Sequence, residues 1–394
     1  MKLDGTSYSP LALRKIVRAG VRSESYQAAA GDLAELCDMS IGPKAVERQV
    51  HRIGRERIEE RDAAVAAHRS LPLIARDAAA DPSRPCPAVA MVSVDGGRIQ
   101  VRRRSPTATT EPTPEAATAR RSTLWRESKT AVLETYLGEA HESDPDPDVP
   151  SCFLDLKRTA EMIRGMSHPL PAGLDFPGED DDPVAAPRAR RSRSRKRRPG
   201  RPKRLVRSVL ASRAGSEDFG PIMHQAAWER NFFGGGKRAF LGDGAATNWT
   251  IHRRHFSTFT PILDFVHALS YIFAAAFAGR PQAEGEAVYR RWIQAAWAGA
   301  IATILPEMEA RSAELGVAPK DSGETDPRML VAESLGYLRN NADRMRYDAF
   351  RREGLPIMTS AVESAIKMIN RRVKGSEKFW SDPGSEEILQ LKGD

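Results

Sequence analysis

Three acidic residues stand where regular elements are expected to end. Asp95 follows the apolar run of "MVSVDGG", Asp243 sits between two glycines in "FLGDGAA", and Glu363 lies at a helix start in "MTSAVESAIKMINRRVKGSEKFW". Strand ends on one side of a sheet bring together side chains that are remote in sequence. Two or three carboxylates are enough to hold divalent ions, because Mg²⁺ takes hard oxygen ligands and keeps several waters. The chemistry served is phosphoryl transfer, with two ions about 4 Å apart on the attacking and leaving oxygens. Crowded carboxylates repel one another, and a metal's charge relieves the repulsion. Each acid also has a simpler reading. Asp95-Gly96 suits a hairpin turn. Asp243 suits an Asx turn or a helix N-cap. Ser360-Ala-Val-Glu363 fits a capping box.

The residues after Glu363 bear on the choice. Val362, Ile366, Ile369 and Val373 form one apolar stripe, and Glu363, Lys367, Asn370, Arg371 and Lys374 lie away from it. Such a helix sets an acid on metal and its cations, here Lys367, Arg371, Arg372 and Lys374, on phosphate. A Glu363–Lys367 pair on a solvated face is the alternative.

The elements that position these residues read as an α/β chain with a helical front and a helical insertion. At 394 residues and 41% hydrophobic content, two or three domains are expected. "ESYQAAAGDLAELCDMSIGPKAVERQVHRIGRERIEER" predicts two helices, with Tyr26, Ala30, Leu33 and Leu36 at helical spacing and a break before Pro43. That pattern suits a helix-turn-helix whose second helix puts Lys44, Arg48 and Arg52 on DNA, or a plain α-hairpin with a basic face. Val92, Val94 and Ile99, Val101 alternate around Asp95-Gly96-Gly97 and predict a strand pair. Further strands are expected at "TAVLETYL", "LVRSVLAS", "KRAFLGDG" and "FSTFTPILDF", with helix over 216–230 and almost throughout 264–375. Residues 106–122 read as a loop, and 138–204, rich in Pro and charge, as mostly disordered.

The formal charge is +8, with twelve Lys or Arg and no acid in Arg188–Arg207. This local surplus points to a polyanionic partner. Within it, Pro199-Gly-Arg-Pro-Lys-Arg204 is similar to an AT-hook, which would set Arg198, Arg201, Lys203 and Arg204 on an A·T minor groove. A disordered polyanion tether is the alternative. "FFGGGKRAF" is not a P-loop, since Arg238 follows Lys237 where Ser or Thr is required. Cys37, Cys86 and Cys152 have no metal-ligand spacing and suit a reducing compartment. No apolar run reaches membrane-spanning length.

"MVSVDGGRIQVRR", "FLGDGAATNWTIHRRHF", "PILDFVHALSYI" and "MTSAVESAIKMINRRVKGSEKFW" occur in this order, after "YQAAAGDLAEL…SIGPKAVERQ". Together they resemble the DDE transposases of ISKra-type bacterial insertion sequences, over most of residues 20–390 outside 106–122 and 138–204. The resemblance implies a ribonuclease H-like mixed sheet flanked by helices. It implies a triad of Asp95, Asp243 and Glu363 holding two Mg²⁺ or Mn²⁺ ions. "LDFVH" resembles an Asp-x-x-His signature of Mutator-like transposases, which gives His267, beside Asp264, a role in positioning the scissile phosphate or the active-site helix. A helix start with a partly buried histidine is the alternative.

The implied organisation is a helical DNA-binding region over 1–85, a core over 86–265 interrupted by 138–204, a helical insertion over 266–355, and a catalytic helix and tail over 356–394. Trp292 and Trp297 fall in the insertion, where core packing is favoured over stacking on a displaced base. The partners implied are the double-stranded DNA of element ends and target, bound by a homo-oligomer in the bacterial cytoplasm at the nucleoid, with no membrane. Cleavage would release a 3′-hydroxyl that then attacks target DNA. Two departures stand out: the basic run is long, and the chain ends soon after Glu363. A truncated or decayed copy that only binds DNA, or a metal-dependent nuclease on the same fold, are the other readings.

Overall fold

The computed structural model describes residues 7–102, 123–164, 166, 168–171, 174, 200–358, 360–374 and 378–394; for residues 123, 124 and 360–363 it describes the backbone alone. Among the described residues five strands make one mixed sheet: β1 (Val89–Arg102), β2 (Thr123–Leu137), β3 (Lys203–Ser212), β4 (Lys237–Gly242) and β5 (Thr260–Leu263), in the order β3-β2-β1-β4-β5. The β1–β2 and β2–β3 pairs are antiparallel, and the β1–β4 and β4–β5 pairs are parallel.

The expected turn at Asp95-Gly96-Gly97 is absent. β1 runs unbroken through it, with Asp95 opposite Thr130 and Gly96 opposite Lys129. The parity change from Val92 and Val94 to Ile99 and Val101 marks a change in which face is covered, since strand side chains alternate. Val92 and Val94 join the main core, while Ile99 and Val101 join a second core beneath the terminal helices. "TAVLETYL" is the second half of the long β2.

Three helices lead the chain: α1 (Pro10–Arg22), α2 (Tyr26–Cys37) and α3 (Pro43–Ser70). The Ser9 and Ser25 hydroxyls accept from the main-chain N–H groups of Ala12 and Ala28 and cap the first two. Ala30 and Leu33 are buried as the spacing predicts, but Leu36 is 77% exposed, because α2 ends one residue later and nothing covers its last turn. After the short helix α4 (Leu73–Arg76), the other elements off the sheet are α5 (Ser151–Leu154), α6 (Leu156–Ile163), α7 (Ser216–Glu229), α8 (Ala246–His255), α9 (Phe265–Phe277), α10 (Gln282–Trp297), α11 (Ile301–Leu315), α12 (Pro327–Asn341), α13 (Tyr347–Arg352), α14 (Ser360–Val373) and α15 (Asp382–Gly393).

Two large cores hold the described residues together. The main core joins β1, β4 and β5 to α7–α12, and buries Trp292 and Trp297 as packing residues. The second core joins Ile16, Leu33, Val46 and Val50 of the leading helices to Ile369, Val373, Trp380 and Ile388 near the end of the chain. α3 therefore lies along α15. At Gly54 a Cβ would come within 2.9 Å of the Glu387 carbonyl oxygen, so only glycine lets the helices approach this closely.

Residues 138–164 are ordered, against the expectation for 138–204. Val149, Phe153, Ala160 and Ile163 join the main core. Tyr289 Oη donates to the Phe153 carbonyl at 2.6 Å, and Arg351 forks onto the Asp144 carboxylate. The acids in "SDPDPDVPSCFLDL" suggest a solvated chain, but Val149, Cys152, Phe153 and Leu156 supply enough apolar surface to dock it. Among the described residues no helix is long and apolar enough to cross a membrane.

Candidate active site

The parallel half of the sheet sets one row of carboxylates. Val94 of β1 is paired with Gly242 of β4, and Gly242 with Leu263 of β5. The next residue on each chain is an aspartate: Asp95, Asp243 and Asp264. Register alone makes these three neighbours, although they are far apart in sequence.

Each carboxylate is fixed differently. Asp95 is partly buried, and its Oδ1 accepts from the Gly96 N–H at 2.6 Å. Burial first, then the charge of Asp243, pushes its carboxyl up to about 6, against the pull of His267 and the Gly96 N–H. Asp243 Oδ1 accepts from the Ala245 N–H at 2.9 Å and from Asn248 Nδ2 at 2.8 Å. Asp264 is buried and caps α9, its Oδ1 accepting from the Val266 N–H at 2.8 Å.

His267, in the first turn of α9, places Nδ1 3.8 Å from Asp264 Oδ1. That exceeds a hydrogen bond, so the attraction is that of an ion pair. Burial pushes the imidazole down, but Asp264, Asp243 and Asp95 together outweigh it and hold it up at about 9. The three acids thus hold His267 toward its charged form.

The two glycines around Asp243 answer to packing. A Cβ on Gly242 would stand 3.1 Å from the Trp249 indole. Gly244 has φ of +94°, and a Cβ there would run into the Tyr337 ring. Tyr337 Oη in turn donates to the Asp243 carbonyl at 2.5 Å, and its ring stacks on Tyr271 at 3.6 Å. Asp264 was expected only as the acid of the Asp-x-x-His signature, without a role of its own; Asn248 and Tyr337 were not among the expected site residues, and nothing local in the sequence pointed to Tyr337.

α14 packs on β1 and β2, with Ala365 buried against Val132. Glu363 belongs to its first turn, but the Glu363 side chain lies outside the described residues. Ile369 and Val373 are buried as the stripe predicts, and Lys367, Arg371 and Lys374 are exposed. Lys374 Nζ stands 5.7 Å from the centre of the half-exposed Trp125 ring. Arg372 departs from expectation. It is 4% exposed, its Nε donates to the Gly20 carbonyl at 3.1 Å, and it lies between the Tyr26 and Trp380 rings. Arg372 bonds the leading helices to the end of the chain and does not face DNA.

Other expected DNA contacts are divided. On α3, Lys44 pairs with Glu47 and Arg52 with Glu56, while Arg48 is exposed. Arg198 lies outside the described residues. Arg201 and Lys203 are exposed. Arg204 is also exposed, and its guanidinium pairs with the fully buried Glu134 carboxylate at 3.0 Å. A Cβ on Gly200 would overlap Pro145, so the end of the hook-like motif is seated on the body of the protein.

The donor set of the row is hard oxygen, and the Asp95 carboxyl is raised by burial first and by the Asp243 charge second; a bound cation would offset both. Asp95 and Asp243 therefore suit Mg²⁺ or Mn²⁺. Among the described residues no group of three or more His, Cys, Asp or Glu could hold a metal ion. No protein-family model matches the sequence, and no curated protein matches it.

Proposed function

We propose that this chain is a DDE-type DNA transposase built on a ribonuclease H-like core. The observation that carries the reading is the row of Asp95, Asp243 and Asp264 after the paired residues Val94, Gly242 and Leu263. It is supported by the strand order, in which β2 alone runs against the other central strands, by the packing of α14, the helix that includes Glu363, on β1 and β2, and by the helices between β5 and α14.

In this reading Asp95, Asp243 and Glu363 would hold two Mg²⁺ or Mn²⁺ ions, which would supply charge neutralisation for phosphoryl transfer. The protein's own part is positioning. Asn248 and the Ala245 N–H occupy one oxygen of Asp243 and fix the carboxylate's rotation. Tyr337 clamps the turn from the far side. The His267 imidazolium, balanced by Asp264, offers a cationic N–H to a phosphate oxygen. The partner is double-stranded DNA, bound by a homo-oligomer at the bacterial nucleoid.

A second reading is a DNA-binding protein without catalysis, which the exposed cations Arg48, Arg201, Lys203 and Arg371 would serve without any metal. One experiment separates them. Supercoiled plasmid is incubated with the full chain in Mg²⁺ or in chelator, in parallel with D95N and D243N. Nicking that needs Mg²⁺ and is lost in both variants, with DNA binding retained, supports the transposase. DNA binding without nicking in any metal leaves the second reading.

A further inference from the structure

A second cluster of chemistry-bearing side chains lies apart from the carboxylate row. A cavity of about 230 Å³ opens between the ends of α3 and α8, the α4 turn and α7. Three histidines, His68, His224 and His255, line it with three arginines, Arg69, Arg76 and Arg254. Asp77 is the one acid of the lining, and Ser257 and Thr258 add hydroxyls.

The site is built rather than incidental. The His68 ring packs edge-on against His224 with centroids 4.9 Å apart, and His224 Nε2 stands 3.2 Å from Asp77 Oδ1. The His255 ring lies against Gly220, where any Cβ would overlap it. Arg76 is held by the main-chain carbonyls of Leu71, at 2.8 Å, and Arg69, at 2.6 Å. Among the described residues neither Arg69 nor Arg76 makes an ion pair, while Arg254 reaches Glu217 at 3.2 Å outside the cavity.

One atom lacks a partner. His68 is 3% exposed, and its Nε2 makes no hydrogen bond. Leaving a buried polar nitrogen unsatisfied is costly, so such an atom marks a place for something that binds. Burial first, then neighbouring positive charge, pushes His68 and His255 down to about 4. The lining thus carries three guanidinium charges against one carboxylate at neutral pH.

Guanidinium forks, imidazole N–H groups and hydroxyls are donors matched to an oxyanion. We propose that this cavity binds a phosphate group, seated on Arg69, Arg76 and Arg254 with the His68 ring in its wall. α8 links the site to the carboxylates: it starts beside Asp243 and ends at His255, and ten helical residues span about 15 Å. The phosphate therefore binds outside the row, as free phosphate or as a phosphodiester of DNA.

The test uses the full chain, R69Q/R254Q at the exposed rim, H255Q inside, and R253Q as a surface control. Inorganic phosphate is titrated against chloride at matched ionic strength, with melting temperature and histidine ring proton shifts as readouts. Binding of a short duplex is measured in parallel. Saturable stabilisation by phosphate that is lost in R69Q/R254Q and H255Q assigns the site to the free anion. No effect of phosphate, but duplex affinity reduced about tenfold or more in R69Q/R254Q and unchanged in R253Q, assigns it to the DNA backbone. Phosphate indistinguishable from chloride, with the duplex bound equally by R69Q/R254Q and R253Q, overturns the proposal. Neither arm depends on metal or cleavage, so the result stands apart from the transposase reading.

Discussion

The Tyr337 hydroxyl donates to the Asp243 main-chain carbonyl at 2.5 Å, and the same ring fills the space beside Gly244 where a side chain would begin. The Gly-Asp-Gly turn is therefore a packed joint between β4 and α12. Replacing Gly244 by alanine adds strain at φ of +94° and an overlap with the ring, at an expected cost of about 1–3 kcal/mol. Y337F keeps the stack on Tyr271 and loses only the donor, at an expected cost of about 1 kcal/mol. Urea denaturation of both variants is the check. G244A as stable as the parent would show that Tyr337 does not seat there.

The Asp95 carboxyl makes the parent less stable as pH rises. Its pKa in the fold is about 6 against an ordinary 3.8. Between these values the folded state binds more protons than the unfolded state, so stability falls with rising pH across that window and stays lowered above it. D95N cannot ionise. It should match the parent below 3.8 and exceed it above 6, by about 1–2 kcal/mol once the partial exposure of the carboxyl is discounted. If the proposed site holds Mg²⁺, added Mg²⁺ should raise the melting temperature of the parent and leave D95N unmoved. A D95N advantage that is constant across the pH range would sink the argument.

Much of this arrangement was legible in sequence, for stated reasons. β3, β4, β5, α7 and the helices after Asp264 announce themselves by composition and period. Asp243 stands out as an acid between glycines at the end of a strand, and Asp95 as an acid beside two glycines, although it lies inside β1 and not at its end. What the sequence hid were the long-range consequences of register and packing. A local rule made Asp95-Gly96 a turn, but the β2 partner extends past it and holds the chain straight. Arg372 looked like one more helix cation, since the rings of Tyr26 and Trp380 that enclose it come from either end of the chain. The same blindness concealed the His68–His224–His255 cavity, whose members lie on three helices that share no motif.

His267 provides a titration of opposite sign to Asp95. Its pKa in the fold is about 9 against an ordinary 6.5, so its pairing with Asp264 contributes fully below 6.5 and is lost as pH rises through 9. H267Q should therefore be most destabilised relative to the parent below 6.5 and approach it above 9, with about 1–3 kcal/mol at stake. Thermal melts of the pair across that range test it. A pH-independent difference would mean that the imidazole acts through packing and carries no charge.

Arg372 and Arg371 are adjacent on α14 and should behave as opposites. Arg372 is enclosed by two aromatic rings and bonded to the Gly20 carbonyl, while Arg371 is exposed. R372A removes a buried cation from between its rings and opens the contact between the leading helices and the end of the chain. About 2–4 kcal/mol of stability should be lost. R371A should change stability by less than about 0.5 kcal/mol and, if α14 contacts DNA, should reduce the salt dependence of binding by about one phosphate contact. Denaturation together with salt-titrated duplex binding separates the two roles. Equal loss of stability in both variants would contradict the burial, and a change in salt dependence for R372A at unchanged stability would return that residue to the DNA surface.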